Sequence, residues 1–198
     1  MKFQKPKGTT DYYPEEKSVQ QRIFELFRET ARRYNFKEIE SPVFESLELL
    51  TKKEGDEIKE QIFVLTKRSK ESLGLRFDLT VPAVRMFIEK QKVLPKPVKW
   101  FYVSRMWRYE QPQAGRDREF YQFSAEIFGS NKPEADAEII NLAIDSLLSL
   151  GLDEKDFIVK INNRKFIQSL LLNVVEKQKL GDVLKPVSYT HLTLPTKA

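Results

Sequence analysis

Cysteine is absent from this 198-residue sequence, and histidine occurs once, at His191. The first absence excludes disulfides and thiolate metal sites, and the second excludes histidine-based triads and zinc clusters. No apolar run approaches the ~20 residues that a membrane-spanning helix requires, and the N-terminus lacks the apolar core of a signal peptide. We therefore expect a cytoplasmic protein with no membrane partner and with no metal held by Cys or His.

The remaining composition is that of a globular domain, with 40% hydrophobic and 32% charged residues. The net charge of +5 is compatible with RNA binding but does not require it. Strand pairs that look like hairpins occur without a G-x-G-x-x-G turn or a regular βαβ alternation, which argues against a Rossmann fold. We expect a mixed α/β (α+β) domain with a mostly antiparallel sheet flanked by helices.

The stretch from Met106 to Gly129 predicts two strands joined by a polar loop. In the second strand, alternation places Tyr121, Phe123, Ala125 and Ile127 on an apolar face, opposite Phe120, Gln122, Ser124 and Glu126. A carboxylate on such a hairpin either meets solvent or is held for a ligand, because burying it unpaired is costly.

Three arginines surround this hairpin. Arg108 ends the first strand, and Arg116 and Arg118 lie in the loop between Glu110 and Arg118. Guanidinium groups bind phosphate oxygens in pairs of hydrogen bonds and stay charged, so this cluster suits an oligophosphate. Spacing alone leaves equally open a surface hairpin whose arginines are solvated or pair with Asp117 and Glu119.

Periodicity predicts the other elements. Apolar residues at three- and four-residue steps predict a helix from Glu15 to Tyr34, another from Pro82 to about Gln91, and a third from near Pro133 to Gly151. A short helix with a charged turn is predicted at 46–60, strands at 62–65, 73–79 and 157–162, and a last helix from Arg164 to about Lys177. From Arg76 to Thr80, alternation predicts that Arg76, Asp78 and Thr80 share one face, opposite Phe77 and Leu79.

The segment WRYEQPQAGRDREFYQF (107–123) resembles motif 2 of class II aminoacyl-tRNA synthetases, in the form found in the histidyl-tRNA synthetase family. The resemblance implies that Arg108 binds the ATP α-phosphate and the amino-acid carboxylate, that Glu110 contacts adenine, and that Phe120 stacks beneath the base. Arg116 and Arg118 would complete the ATP site. Gln122 and Glu126 match positions that hold the histidine substrate.

Three further segments are similar to the same family. KGTTDYYP (7–14) resembles its RGT-x-D-x-x-P opening, with Lys7 in place of Arg. LRFDLTVP (75–82) resembles the histidine-binding strand of the archaeal and eukaryotic members, in which Asp78 would receive the substrate amino group and Thr80 would contact the substrate. The helix and strand that lead to Pro42 resemble motif 1, which builds the dimer interface, although an ordinary amphipathic helix packed on its own sheet is the alternative.

The resemblance implies a histidine–tRNA ligase that uses ATP and Mg²⁺, acts on histidine and tRNA(His), and is a homodimer when complete. No stretch resembles motif 3, the second histidine-specific motif or the anticodon-binding domain. We therefore expect residues 1–185 to be the N-terminal part of the catalytic domain, truncated and inactive or weakly active alone. Residues 187–198, VSYTHLTLPTKA, show no amphipathic period. We expect them to be a non-native, vector-derived tail, which includes His191.

Two other functions remain open. One is a non-catalytic paralogue, the regulatory subunit of ATP phosphoribosyltransferase, and the other is an RNA-sensing module that resembles the synthetase. The presence of Arg108, Glu110, Gln122 and Glu126 favours the ligase. The choice of histidine over other amino acids follows from the resemblance, since composition and spacing do not select it.

Overall fold

A computed structural model describes residues 3–52, 60–65, 72–113 and 115–172. The chain divides into two compact units, Met1–Asp156 and Phe157–Ala198. Every candidate site residue lies in the first unit. Among the described residues, no helix is both long enough and apolar enough to cross a membrane.

A ten-residue antiparallel hairpin is the centre of the first unit. Strand β5 (Val98–Trp107) pairs with β6 (Glu119–Phe128), in a register that runs from Val98 opposite Phe128 to Trp107 opposite Glu119. Strand β1 (Lys37–Glu38) adds to β5 in parallel. The predicted mixed α/β fold with mostly antiparallel pairing is therefore confirmed.

A second small sheet is antiparallel throughout. Its order is β2 (Phe44–Ser46), β4 (Leu73–Leu75) and β3 (Val64–Leu65), and helix α2 (Leu47–Thr51) follows β2 directly. The two strands predicted for 62–65 and 73–79 do pair, but they are shorter than predicted. The connection at 66–71 and residues 53–59 of the predicted charged turn lie outside the described residues.

Helices cover both faces of the hairpin. Helices α1 (Pro14–Arg33) and α4 (Pro133–Ser149) pack on one face, and α3 (Thr80–Lys90) packs on the other. The cluster on the α1 and α4 side is built from Ala31, Phe36, Phe101, Val103 and Leu142, and the cluster on the α3 side from Leu79, Ala83, Tyr102 and Met106. The three helices predicted from Glu15, Pro82 and Pro133 are confirmed to within one or two residues.

The second unit differs from the prediction. The strand predicted at 157–162 is wrong, because these residues form no regular structure, and Ile158 and Ile161 are 84% and 72% exposed. Helix α5 (Arg164–Leu171) follows, capped by the Asn163 side chain, which accepts a hydrogen bond from the Phe166 amide at 3.1 Å. The remainder of the helix predicted to about Lys177, and residues 187–198, lie outside the described residues.

Arg76 joins the two sheets of the first unit. The predicted alternation with Asp78 and Thr80 is wrong here, because β4 ends at Leu75 and Arg76 turns inward to 2% exposure. Its Nη1 donates to Glu40 at 2.6 Å and to the Ser41 carbonyl, and its Nε donates to the Arg105 carbonyl at 3.2 Å. One guanidinium therefore binds both the connection before β2 and strand β5.

We predict that Arg76→Met lowers the free energy of unfolding by about 3 kcal/mol. The variant leaves the carbonyls of Ser41 and Arg105 without this donor, and each unsatisfied buried acceptor costs ~1–3 kcal/mol. Glu40→Gln is the matched control, because Glu40 is largely exposed and its amide oxygen still accepts from Arg76, so the loss should stay below about 1 kcal/mol. Urea unfolding of the three proteins measures both values. Equal losses would contradict the role given to the guanidinium.

Candidate active site

The hairpin face that α3 partly covers carries most of the candidate residues. Four cross-strand pairs line it in register, namely Trp100 with Glu126, Tyr102 with Ser124, Ser104 with Gln122, and Met106 with Phe120. The pleat of β6 turns Tyr121, Phe123, Ala125 and Ile127 to the opposite face, where Phe123, Ala125 and Ile127 pack against the core beneath α1 and α4. The predicted separation of the two faces is therefore confirmed.

Arg108 lies where the hairpin opens into its loop. Its Nε donates to the Phe77 carbonyl at 3.3 Å, and its Cζ lies 5.1 Å from the centre of the Phe120 ring. The Arg108 amide donates to the Arg118 carbonyl at 2.9 Å, which holds the two arms together at this point. The Arg108 guanidinium thus lies between Phe120 on β6 and the segment that carries Asp78.

The loop residues hold one another across the hairpin. Arg116 Nε pairs with Glu110 Oε2 at 2.7 Å, and Arg118 Nε donates to the Glu110 carbonyl at 2.9 Å. The Arg118 guanidinium lies 4.3 Å from the centre of the Tyr109 ring. In the alternative of a plain surface hairpin, the arginines of the loop would be solvated or paired with Asp117 and Glu119. In the structure, Glu119 instead binds Arg105 at 3.2 Å and accepts a hydrogen bond from Trp107 at 2.9 Å.

An open cleft of about 280 Å³ lies at this end of the hairpin. Its lining consists of Arg108, Glu110, Gly115, Arg116, Asp117, Phe120 and Tyr121. Two arginines and two aromatic residues therefore line one cavity. This lining combines groups that bind phosphate with a ring on which a base can stack.

The second group of candidates lies farther along the same face. Asp78 Oδ1 accepts from the Thr80 amide at 2.5 Å, at the start of α3, and Asp78 Oδ2 accepts from Gln122 Nε2 at 3.4 Å. Glu126 lies two positions beyond Ser124 and has a buried Oε1 atom. The structure therefore brings Asp78, Thr80 and Gln122 together, with Glu126 on the same strand face.

Tyr102 is a member of this group that sequence reasoning missed. Its ring is fully buried, and its hydroxyl lies 3.5 Å from Gln122 Nε2 and close to the side chains of Ser124 and Thr80. Burial, with the nearby charges of Asp78 and Glu126, raises the pKa of Tyr102 to about 12, so the phenol keeps its proton. Its alternation with Ser104 and Met106 on β5 was the signal that could have identified it.

Pro42 does not join these residues. It is exposed in the connection between β1 and β2, and its carbonyl accepts from Arg76 at 3.4 Å. Within the part of the chain that the structure describes, no group of three or more His, Cys, Asp or Glu side chains could hold a metal ion.

The arrangement as a whole is a pair of adjoining half-sites. One half offers cations and an aromatic ring, which suit a nucleotide, and the other offers carboxylates and neutral polar groups, which suit a small zwitterion with a polar side chain. Arg108 lies where the two halves meet, because it contacts both Phe120 and the residue before Asp78. Such a site can hold two substrates with their reacting groups adjacent.

Comparison with known proteins gives a consistent result. The family model described as Histidyl-tRNA synthetase matches residues 8–192, and so extends into the segment 187–198 whose vector origin stays a prediction. A histidine–tRNA ligase from Methanococcus maripaludis (strain C7) is 47% identical over 180 residues, which is 91% of this chain and 41% of the relative. A histidine–tRNA ligase from Methanocaldococcus jannaschii is 42% identical over 90% of this chain and 42% of its own length.

Solved structures show the same similarity. An ATP phosphoribosyltransferase regulatory subunit/histidyl-tRNA synthetase from Bacillus halodurans has a TM-score of 0.83 and 29% identity, over 96% of this chain and 48% of that one. Histidyl-tRNA synthetase from Nostoc sp. PCC 7120 has a TM-score of 0.77 and 25% identity, over 98% of this chain and 45% of that one. The chain thus spans about two fifths of the length of the curated relatives that it matches. With a family model that covers almost all of its described residues, the chain belongs to the histidyl-tRNA synthetase family.

Proposed function

We propose that residues 1–185 are the N-terminal part of the catalytic domain of a histidine–tRNA ligase. The complete enzyme joins histidine to ATP to form histidyl-adenylate and then transfers histidine to tRNA(His). It acts in the cytoplasm as a homodimer and uses Mg²⁺ with ATP. In this proposal residues 187–198 are a foreign tail without a role in the reaction.

The position of Arg108 is the observation that carries the proposal. Its guanidinium lies over Phe120 and donates to the Phe77 carbonyl, one residue before Asp78. An arginine in this place can contact a nucleotide stacked on Phe120 and a histidine held at Asp78 at the same time. Adenylation requires such a contact, because both substrates place negative charge at the α-phosphate.

The residues of the loop suit the rest of ATP. Phe120 would offer its ring to adenine, and Glu110, whose side chain is 14% exposed, would contact the base. Arg116 and Arg118 would bind the phosphates beyond the α-position, where a planar guanidinium can hold two oxygens. The present partner of Arg116 is Glu110, so binding would exchange this ion pair for a phosphate contact.

The opposite half would orient histidine. Asp78 would accept from the substrate ammonium, with Thr80 and Gln122 beside it, and Glu126 would face the imidazole. The histidine carboxylate then attacks the α-phosphorus in line, the bond to the bridging oxygen breaks, and pyrophosphate leaves with its electron pair. This step depends on alignment and on charge stabilisation by Arg108 more than on a protein base.

Mg²⁺ enters with the nucleotide in this proposal. The described residues lack a metal-binding cluster of their own, and Mg²⁺ is commonly held by substrate phosphates, water and one or two carboxylates. When bound, the ion would neutralise charge on the phosphates. The work of this chain is to hold and align the two substrates.

The regulatory subunit of ATP phosphoribosyltransferase remains the alternative, since the Bacillus halodurans structure carries both names. The ligase is favoured because both half-sites keep the residue types that match the ligase, and because the curated relatives described above are named as ligases. Homodimer formation through α1 and Pro42 is part of the proposal. It is supported by the exposed side chains of Pro42, Val43 and Phe44 next to each other in the chain.

We predict that Arg108→Ala reduces histidine-dependent pyrophosphate exchange by the full-length enzyme by ~10²–10³-fold. That is the usual effect of removing one preorganised donor from a site that excludes water. Arg108→Lys should recover little, because a point charge cannot make the planar contact. Arg85→Ala is the control, since Arg85 pairs with Glu45 at 2.9 Å and has no role in the proposal. Near-normal exchange by Arg108→Ala would mean that the hairpin is scaffold.

We predict that Glu126→Ala raises the KM for histidine and leaves ATP binding largely unchanged, because this carboxylate belongs to the amino-acid half. Exchange kinetics with each substrate varied separately measure the two constants. A matching rise in the KM for ATP would contradict the division of the cleft into two half-sites.

We predict that Tyr102→Phe raises the KM for histidine about tenfold, which corresponds to about one hydrogen bond. The ring stays in the core, but the hydroxyl that joins Thr80, Gln122 and Ser124 is lost. The difference should be constant between about pH 6 and 9, since the Tyr102 phenol does not ionise there. Tyr34→Phe is the control, because its hydroxyl donates to Asp145 at 2.8 Å on the opposite face of the hairpin. Equal effects of both variants would argue against a role for Tyr102 in the site.

A further inference from the structure

The segment that precedes α1 contacts the hairpin loop far along the chain. The Gly8 carbonyl accepts from the Arg118 amide at 2.8 Å and from the Glu119 amide at 3.1 Å. Thr10 Oγ1 donates to Asp117 Oδ2 at 3.3 Å. Three consecutive loop residues, 117 to 119, are therefore bound by two residues of this segment, at the point where the loop enters β6.

Gly8 cannot be replaced by another residue without a local change. Its φ of +79° lies in the left-handed region, where side chains are strained. A Cβ at this position would lie 2.8 Å from Arg118 Cγ and 3.0 Å from Arg118 Cβ. The absence of a side chain at Gly8 therefore lets the backbone approach the stem of Arg118.

The position of the Arg118 side chain depends on the close approach of the Gly8 backbone. From the stem beside Gly8, the side chain crosses the hairpin to the Glu110 carbonyl and to the ring of Tyr109. Arg118 thus connects the outgoing arm of the loop to the incoming arm, which carries Glu110. A shift at Gly8 would move the groups that line the cleft on both arms.

We infer that Gly8 and Thr10 are positioning residues for the nucleotide half of the site, acting through Arg118 and Asp117. They hold the loop in its binding geometry before ATP arrives, so that less ordering is needed on binding. The segment also has an internal hydrogen bond, in which the Thr9 hydroxyl donates to the Pro6 carbonyl at 2.8 Å. This bond stabilises the turn around Gly8. The identity of the nucleotide in this inference rests on the proposed function. The contact of Gly8 and Thr10 with residues 117–119 is independent of the proposed function.

The test compares two glycines with similar backbone conformations and different surroundings. Gly8→Ala introduces both backbone strain and the contact with Arg118. Gly151→Ala introduces the same kind of strain at φ +89°, but a Cβ there meets nothing within 4 Å. In the full-length enzyme, Gly8→Ala should raise the KM for ATP roughly ten- to a hundredfold, as expected for a misplaced binding group, and leave the KM for histidine within about twofold. Gly151→Ala should leave both constants unchanged, and Thr10→Val should raise the KM for ATP by a smaller factor.

Two further measurements separate positioning from general stability. Hydrogen exchange on the 198-residue chain should become faster at the amides of Arg118 and Glu119 in Gly8→Ala and stay unchanged there in Gly151→Ala. In an Arg118→Ala background, Gly8→Ala should raise the KM for ATP less than in the wild type, because the close contact with Arg118 Cγ is gone. Equal effects of the two glycine variants on the KM for ATP, or unchanged exchange at Arg118 in Gly8→Ala, would overturn the inference. If the wild-type enzyme does not use ATP, the proposed function fails, and the exchange data still decide whether Gly8 holds the loop.

Discussion

The buried guanidinium of Arg76 is the interaction on which the first unit depends. It binds the Glu40 carboxylate and the carbonyls of Ser41 and Arg105, while Glu40 also accepts from Ser104 at 2.8 Å. Backbone bonds reinforce the junction, since the Arg76 amide donates to Val43 at 3.0 Å and its carbonyl accepts from Trp107 at 3.1 Å. A small sheet with strands of two or three residues has little stability of its own. Its attachment to β5 at this point places Phe77 and Asp78 beside the hairpin, where they contact Arg108 and Gln122.

The hairpin places polar side chains next to a hydrophobic core. Its ten pairs fix which residues share a face, so that one face packs on α1 and α4 and the other carries Gln122, Ser124 and Glu126. Such polar groups are tolerated near a core only when they bond to one another or to a ligand. Tyr102 serves this purpose, because its protonated hydroxyl lies among Thr80, Gln122 and Ser124. The strand pair therefore holds Tyr102, Gln122 and Ser124 in register without contributions from the loop.

What the sequence could predict depended on short-range periodicity. The alternation in β6 and the helical spacing in α1, α3 and α4 are properties of neighbouring residues, and the structure confirms them. The strand predicted at 157–162 failed because β-propensity needs a pairing partner, and Ile158 and Ile161 are exposed instead. The inward turn of Arg76 depends on carbonyls 29 and 35 residues away, and the contact of Gly8 with Arg118 joins residues more than a hundred positions apart. A periodic pattern among neighbouring residues does not indicate contacts between residues so far apart in the sequence. The division into an ATP half and a histidine half came from resemblance to a family, not from spacing.

The arginines around the loop differ in how firmly they are held, and the difference favours an anionic ligand. Arg108 and Arg118 each donate to a neutral backbone carbonyl and lie over an aromatic ring, whereas the exposed Arg116 pairs with the mostly buried Glu110 carboxylate. Arginine binds phosphate through paired hydrogen bonds in which both partners are charged. A phosphate would therefore give Arg108 and Arg118 an anionic acceptor in place of a neutral carbonyl. In the proposed function, the hydrogen bonds to the Gly8 carbonyl and the contact of Arg118 with the Glu110 carbonyl would hold the loop in position for a nucleotide.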